Sequence, residues 1–564
     1  MNAARADDLT VLALLNCLIR EIAGPGGQVR ADGRHVVIEL PRTGRTLRAA
    51  VVRQALGEPR LTGRVEHLAG GREWSALAWD QVAAVVDAEL GPPSNGSGSL
   101  LTTEIAASHA FITEILRRRP EPSKTTGVHA GYVDSEQSLI AGHRFHPAPK
   151  ARSGSAIEAL RYAPEARSRF RLRYLAVPEE LIWQREAYPG GTSWLDRLLV
   201  DRSGVEPPAG HRLLPVHPWQ FAILAEGPAL PAALADGRLV DLGELGPEVR
   251  PTSSVRTVDT GGSSFLKLSL AVQITNCLRV NPRHELAAAV TMTRMLEPVV
   301  AELTKLFPET VVLGEPAART VDFDEQLGLS DQLGVIAREG LVDRLADDVR
   351  PLLSAALTEP WPDPAVTALM NRLGRRRDEL IAWWDAYLGL LLPPVLYAFL
   401  AHGVVFEAHL QNVVIGLSAD PSAMPSQLVL RDLEGVKLIG GRYRDELAAL
   451  PFRVRDHLDY SPELAWNRVA YCLFVNHVSG VLGALADHDP DAERLLWSRV
   501  RCAIASFIRE HGDAPQLRDI LAGVPLPAKT NLLTRWRRQA DRASGYVPVS
   551  LPLGPDACEV RFQP

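Results

Sequence analysis

Residues 406–412 read FEAHLQN and residues 430–435 read LRDLEG, and the segment between them has the pattern of a β-hairpin. NVVIGL (412–417) and LVLRDL (428–433) are apolar enough to be strands. LSADPSAMPSQ (417–427) carries the Pro, Ser and Asp that are typical of loops. If the two strands pair, Asn412 and Asp432 meet at the open end of the hairpin.

An amide oxygen and a carboxylate at one strand end are suitable ligands for Mg²⁺, which prefers oxygen donors and often takes nucleotide phosphates as further ligands. Protein kinases use this logic, with an Asn and a later Asp on the metal. From these residues alone, a polar hairpin end without a metal is an equally good interpretation.

The bulk composition is that of a globular protein with more than one domain. The chain has 564 residues, of which 46% are apolar and 23% charged, and its formal net charge is −6. It has no long basic tract, so we do not expect a nucleic-acid partner. The five cysteines are scattered without C-x-x-C pairs, which favours a reducing cytoplasm. We expect no signal peptide, and the apolar run near 386–401, interrupted by Pro393 and Pro394, predicts a buried helix pair rather than a membrane span.

The predicted elements indicate an α+β fold with antiparallel sheets. We expect helices at 8–22, 73–90, 101–118, 284–306, 377–392, 465–485 and 491–509. We expect strands at 35–40, 46–52, 170–177, 212–216, 239–242, 265–273 and 311–313. From about residue 345 onward the pattern is mostly helical, apart from the hairpin.

Two further segments concentrate cations and hydroxyls, while the sequence lacks a P-loop, a G-x-G-x-x-G, a G-x-S-x-G and an H-E-x-x-H motif. GHRFHPAPKARSG (142–154) offers His143, His146, Lys150 and Arg152, which suit a phosphate better than zinc; a solvated basic loop is the alternative. PTSSVRT (251–257) and FLKLSLAVQITNCLR (265–279) supply the second set. It consists of Ser253, Ser254, Arg256, Thr257, Lys267, Asn276 and Arg279.

Lys267 is unusual because it lies within an alternating, otherwise apolar strand. Its side chain either reaches solvent from an exposed face or points into a cleft. His217 and Trp219, in LPVHPWQ (214–220), are most simply core residues. A cleft with cations on one wall and carboxylates on the other suits a magnesium nucleotide, because polyphosphate must be neutralised from both sides.

These motifs, taken in order, resemble those of the IucA/IucC family, the NRPS-independent siderophore synthetases. The resemblance rests on GHRFHPAPKARSG, LPVHPWQ, PTSSVRT, ITNCLR, EAHLQN and LRDLEG, which span residues 128–438. Arg144 departs from the family pattern, which usually has Pro after the first His of the loop.

The resemblance implies an ATP-dependent, acyl-adenylate-forming ligase. A carboxylate of citrate or a citrate derivative attacks the α-phosphate of ATP; an amine, hydroxylamine or hydroxyl then displaces AMP. It also implies a hand-like architecture, with a thumb at 1–120, fingers at 121–345 and a helical palm at 346–564. We also expect a cytoplasmic homodimer that uses ATP and Mg²⁺ and needs no membrane partner.

The resemblance further implies roles for individual residues. Catalysis is assigned to His409, Arg279 and Lys267. Substrate binding is assigned to Arg279, His409 and Asn276, and metal binding to Glu407, Asn412 and Asp432. ATP binding is assigned to His146, Lys150, Ser253, Ser254, Arg256, Thr257, Lys267, Gln411 and Asn412.

Two other functions are compatible with the same residues. A kinase-like phosphotransferase would use Asn412 and Asp432 equally well. A nucleotide-binding scaffold without chemistry is disfavoured, because a degenerate site would have lost one of its several cations.

Overall fold

The predicted hairpin is present and belongs to a four-stranded sheet. The structure, a computed structural model, describes residues 2–69, 73–92, 100–121, 128–152, 156–274, 277–323, 328–540 and 543–555. Strands Val413–Ser418 and Pro425–Leu430 pair antiparallel, with Val413 opposite Leu430. The backbone N–H of Arg431 donates to the carbonyl of Asn412 at 3.2 Å, so the two motifs meet at the open end as predicted.

The other two strands of this sheet flank the hairpin. Val349–Leu353 pairs antiparallel with the first hairpin strand, and Thr310–Val312 pairs parallel with the second. Thr310–Val312 lies before residue 345, so this sheet crosses the expected boundary between fingers and palm. That boundary remains a prediction.

Helices cover the sheet and form the largest apolar core. They are Pro364–Leu373, Arg377–His402, Arg444–Ala448, Phe452–Leu458, Pro462–Val469, Ala470–Val478, Ser479–His488, Glu493–His511 and Pro515–Leu521. Helix Leu532–Trp536 instead places Leu532 in the core of the N-terminal part. Two small sheets accompany them, with strands Val404–Val405, Lys437–Ile439 and Asp459–Tyr460 in one and Leu526–Lys529 and Tyr546–Val549 in the other.

The predicted helix pair around Pro393 and Pro394 is wrong, because Arg377–His402 is one helix that runs through both prolines. Proline removes a helical hydrogen bond and usually bends or ends a helix. Here Leu391, Leu392 and Leu396 are buried on both sides of the prolines, and their packing holds the helix together. Within the described ranges, Arg377–His402 and Pro462–His488 are long and apolar enough to span a membrane, with mean hydropathy 1.4 and 1.6, but 56% and 83% of their most apolar windows are buried in the core.

The middle part of the chain forms an eight-stranded antiparallel sheet. In spatial order the strands are Ile182–Glu186, Ala317–Val321, Val335–Glu339, Ser264–Leu268, Thr257–Asp259, Val240–Pro251, Phe170–Pro178 and His211–Val216. Around it lie the helices Val128–Glu136, Ala156–Leu160, Gly191–Ser203, Pro218–Ala225, Ala229–Ala235, Arg283–Met295, Glu297–Leu306 and Leu329–Gln332.

Two predicted elements in this region are each divided. The strand expected at 265–273 is Ser264–Leu268 in the large sheet and Leu270–Ile274 in a ribbon with Cys277–Arg279. The break falls at Ser269, whose N–H donates to the carbonyl of Gly334. The helix expected at 284–306 is broken at Leu296, because Pro298 has no N–H to donate to the carbonyl of Arg294 and is tolerated only in the first turn of the second helix.

The N-terminal part packs helices against a five-stranded antiparallel sheet. The strands are Val29–Asp32, His35–Leu40, Arg45–Arg53, Arg60–Ala69 and Glu73–Ala76, and the helical segments are Asn2–Leu18, Ile19–Ala23, Trp79–Leu90 and Leu101–Arg118. The prediction that a helix begins at residue 73 is wrong, because Glu73–Ala76 is an edge strand of the sheet and the helix begins at Trp79. Arg53 ties this part to the helical region through Asp487 (3.0 Å) and Glu493 (2.5 Å).

Candidate active site

A large cavity of about 1190 Å³ lies where the three parts of the chain meet. Its walls contain the 142–152 loop, the hydroxyl-rich turn before Thr257, the ends of the middle sheet and the open end of the hairpin. The predicted site residues that line it are His146, Lys150, Ser253, Ser254, Arg256, Thr257, Lys267, Arg279, Glu407, His409, Gln411, Asn412 and Asp432. Asn276 lies outside the described residues.

Asp432 is the centre of a buried charge network. Its Oδ1 accepts from Lys267 Nζ at 2.6 Å and from an Arg338 Nη at 2.5 Å. Burial would raise the pKa of the Asp432 carboxyl, but the charges of Lys267 and Arg338 outweigh it and hold that pKa well below its usual value. Asp432 is therefore ionised across the whole physiological range.

Lys267 points into the cavity rather than to solvent. Its side chain is 5% exposed, and its ammonium also donates to Glu434 Oε2 at 3.0 Å. Burial alone would lower the pKa of Lys267, but Asp432 and Glu434 raise it above its ordinary value. The exposed-face alternative is thus wrong, because the open end of the hairpin covers this face of the strand.

The backbone at Asp432 is held in an uncommon conformation. Its φ of 76° and ψ of 61° place it in the left-handed region, which Asp tolerates better than most residues. The next turn is fixed by the backbone N–H of Glu434, which donates to Glu315 Oε2 at 3.0 Å. Glu315 also pairs with Arg338 and is completely buried, so a single carboxylate supports both the turn and the arginine.

Arg256 and Arg279 occupy the neighbouring wall. Arg256 is anchored by Asn281 Oδ1 at 2.5 Å and by the carbonyl of Val280 at 3.0 Å. Burial, followed by the charge of Arg279, lowers the pKa of Arg256 from its ordinary value. Two guanidinium groups that line one wall of the cavity are well suited to bind an anion.

The 142–152 loop is built on internal ion pairs instead of being solvated. Lys150 donates to the carbonyl of Leu139 at 2.6 Å and forms an ion pair with Glu165, which Arg152 also contacts at 3.1 Å. Burial would raise the pKa of Glu165, but Arg152 and Lys150 hold it at about 2. Through these contacts Lys150 orders the loop. His146 is also buried, and its ring nitrogen accepts a hydrogen bond from the N–H of Ala148.

The hairpin end contributes amides, a carboxylate and an imidazole. Gln411 Nε2 donates to Ser253 Oγ at 3.3 Å, which joins the hairpin end to the 251–257 segment. Glu407 lies 3.2 Å from Arg468. Burial lowers the pKa of His409 below its usual value despite the opposing charges of Glu407 and Asp432, so His409 is neutral at physiological pH.

Sequence reasoning missed several residues that this network depends on. Arg338 lies in the apolar strand Val335–Glu339 and carries the same signal as Lys267, a cation within an alternating strand. Arg431 and Glu434 lie within the quoted LRDLEG motif; Arg431 donates to Glu136 at 2.5 Å and braces the hairpin end. Glu315 has no sequence signal of its own.

Comparison with known proteins places these features in context. The profile of the IucA / IucC family matches residues 131–359, and that of the ferric iron reductase FhuF-like transporter family matches residues 381–544. The chain is 30% identical to the rhizobactin siderophore biosynthesis protein RhbC of Rhizobium meliloti, over 98% of both chains. It is also 30% identical to the L-2,3-diaminopropanoate–citrate ligase of Staphylococcus aureus, over 72% of each.

A solved structure shares the whole fold. The ATP-bound aerobactin synthetase IucA from a hypervirulent pathotype of Klebsiella pneumoniae superposes with a TM-score of 0.83 at 23% identity, covering 97% of this chain and 99% of that one. The α+β architecture expected from the sequence is confirmed.

Proposed function

This chain belongs to the IucA/IucC family of siderophore synthetases, as its motifs predicted, and from that premise we propose that it joins a carboxylate to an amine or hydroxyl nucleophile at the expense of ATP. The carboxylate is citrate or a citrate derivative. Its oxygen attacks the α-phosphate, giving an acyl-adenylate and pyrophosphate, and the nucleophile then releases AMP. The names of the relatives, which include a citrate ligase, support this choice of substrate.

The observation that carries the proposal is the convergence of Arg256, Lys267 and Arg279 on one cavity that faces Asp432. The transition state at the α-phosphate gains negative charge, and preorganised cations in a site shielded from water stabilise that charge. Lys267 is held in place before any ligand arrives, because Asp432 and Glu434 fix its ammonium from two sides.

We assign the roles as follows. Arg279 and His409 orient the substrate carboxylate, and Lys267 contacts the reacting phosphoryl group. The ATP phosphates and nucleoside are bound by His146, Lys150, Ser253, Ser254, Arg256, Thr257, Gln411 and Asn412. For Lys150 this contact requires it to share its ammonium between Glu165 and the phosphate.

The residues at the hairpin end fit Mg²⁺. Glu407, Asn412 and Asp432 offer only oxygen donors, which Mg²⁺ prefers, and the side chain of Asp432 is 26% exposed to the cavity. When bound, the ion would neutralise polyphosphate charge. The chain's own part is to hold Asp432 ionised and oriented through Arg338 and Lys267.

Product analysis tests the reaction type. Citrate-dependent exchange of pyrophosphate into ATP, with AMP as the product of the complete reaction, is expected. Formation of ADP would support the kinase alternative, which family membership does not favour. Absence of exchange with citrate, citrate monoamides, succinate and α-ketoglutarate, in well-folded protein, would contradict the proposal.

We further propose that the enzyme acts as a cytoplasmic homodimer with thumb, fingers and palm at residues 1–120, 121–345 and 346–564. Light scattering on the purified protein at micromolar concentration tests the oligomeric state, and a monomer mass would contradict it.

A further inference from the structure

A cluster of two imidazoles and a carboxylate lies in the cavity beside the residues assigned above. His284 and Glu285 are in the first turn of helix Arg283–Met295, and His457 is near the end of helix Phe452–Leu458. One nitrogen or oxygen atom from each of the three lies within 4.8 Å of the others. All three side chains line the cavity.

Glu434 connects the cluster to the reacting centre, because it contacts both His457 and Lys267. His457 Nε2 lies 3.3 Å from Glu434 Oε1 and 3.0 Å from Lys437 Nζ. The other oxygen of Glu434 accepts from Lys267. A group bound at the cluster is therefore adjacent to the place where Lys267 contacts the phosphoryl group.

The carboxylate of Glu285 is available to a ligand. Within the described ranges its carboxylate has no salt bridge or hydrogen bond, although it is partly buried. Burial and the charge of Glu434 raise its pKa, while His457, Arg256 and Lys267 act in the opposite direction. Further charged or titratable groups near the cluster are His284, Lys437, Arg453 and Asp456, which line the cavity, and Asp331, whose charge acts on His284. A carboxylate that is accessible from the cavity, and whose affinity for a proton is increased, is suited to act as a general base.

We propose that this cluster receives the ammonium group of the second substrate and that Glu285 removes its proton before the attack. This inference rests on the proposed ligase function. The R–NH₃⁺ group gives one proton to Glu285, and the resulting lone pair forms the bond to the acyl carbon. The bond from that carbon to the phosphate oxygen breaks and AMP leaves with the electron pair. The second proton, now on the amide nitrogen, passes to an imidazole of the cluster and from there to solvent.

Two exposed apolar side chains in the same cavity indicate the class of amine. Leu278 and Phe452 line the cavity and are 56% and 66% exposed, although both are large and apolar. Phe452 begins the helix that carries His457, and Leu278 directly precedes Arg279. Exposed apolar surface in the same cavity as an acidic group fits a primary amine on an aliphatic stem, because the stem covers apolar surface while the ammonium meets the carboxylate.

Glu285→Gln tests the inference when two kinds of nucleophile are compared on the same citrate-activated enzyme. The charged probes are the α,ω-diamines from 1,3-diaminopropane to 1,5-diaminopentane, both of whose amines are mostly protonated at pH 7.5; the uncharged probe is hydroxylamine, which is mostly neutral at that pH and needs no deprotonation before attack. We expect kcat/KM for the preferred diamine to fall by roughly 100-fold, and that for hydroxylamine to fall by less than about fivefold.

The matched control is Glu297→Gln, which changes an exposed glutamate on the following helix and should leave both rates unchanged. Equal losses with both nucleophiles, no loss with either, or a wild-type enzyme that uses hydroxylamine but no diamine would overturn the inference. Stoichiometric Zn²⁺ binding that Glu285→Gln abolishes, with diamine transfer unaffected, would show a metal site instead. Failure of wild-type pyrophosphate exchange would overturn the proposed function itself, so the two failures are distinguishable.

Discussion

Replacing Arg338 with Met removes the guanidinium that positions the carboxylate of Asp432 by donating a hydrogen bond to it. Arg338 is 4% exposed and donates to Asp432 at 2.5 Å and to Glu315 at 2.6 Å. Met has a similar length and no charge, so it fills the space without supplying a donor. Two separate consequences follow, one for catalysis and one for stability.

The catalytic consequence comes from Asp432. A hydrogen bond to a charged group contributes about 1.5–3 kcal/mol. If its loss is felt in the transition state, kcat/KM for citrate-dependent pyrophosphate exchange falls roughly 10- to 150-fold. The loss should be larger at low Mg²⁺ concentration, because a less firmly oriented Asp432 binds the ion more weakly.

The stability consequence comes from Glu315, which is left charged and completely buried. Breaking a buried ion pair by removing one partner costs about 3–5 kcal/mol. The double variant Glu315→Gln/Arg338→Met removes this buried charge, and Gln still offers an oxygen to the N–H of Glu434. We expect the double variant to recover much of the lost stability in urea unfolding but none of the lost activity.

These two measurements separate the roles of Arg338. A double variant with wild-type kcat/KM and a wild-type Mg²⁺ dependence would refute the positioning role, and Arg338 would then be structural only. Recovery of activity in parallel with stability would also refute the positioning role of Arg338.

Three further predictions use the same assays. Asp432→Ala should abolish exchange and weaken Mg²⁺-ATP binding in isothermal titration while the circular dichroism spectrum stays unchanged; normal turnover would remove Asp432 from the metal site. Arg279→Ala should lower kcat/KM for citrate more than about tenfold, since it loses a charge-assisted contact, and an unchanged value for every acid tested would exclude Arg279 from the carboxylate site. The pKa of Glu165 is about 2 in the folded protein against an ordinary 4.5. The ionised carboxylate therefore adds about 3 kcal/mol to the free energy of unfolding above pH 4.5, and this contribution is lost as the pH falls toward 2. Glu165→Gln should therefore be less stable than wild type at pH 7 by urea unfolding, with a difference that shrinks below pH 4.5, and a constant difference between pH 7 and pH 3 would contradict the assignment.

The parts of the site that the sequence predicted are those with a local signal. Asn412 and Asp432 flank two apolar strands joined by a loop of turn-forming residues, so their meeting followed from strand pairing alone. Lys267 was identifiable because a cation within an apolar alternating strand requires a partner. Arg338 carried the same signal, and no sequence pattern joins either cation to Asp432, which lies 165 positions from Lys267 and 94 from Arg338.

The parts that could not be predicted depend on long-range contacts. Alternation continues through Ser269, yet the strand divides there because Ser269 bonds Gly334, which is distant in sequence. Pro393 and Pro394 predict a helix break, but burial on both sides overrides their local preference. His284, Glu285 and His457 come from two helices whose apolar periodicity gives no indication that their polar faces meet.

Strand register explains why two cations converge on one oxygen of Asp432. Lys267 lies opposite Ile336, and Arg338 is two residues further along the same strand, so Lys267 and Arg338 project from the same face of the sheet. The hairpin end covers that face and brings Asp432 between them. Because Glu315 fixes Arg338 and the turn at Glu434 together, the left-handed backbone at Asp432 is held by buried contacts on both sides. The conformational entropy of the Asp432 side chain is therefore lost on folding, so substrate binding does not have to offset the cost of ordering it.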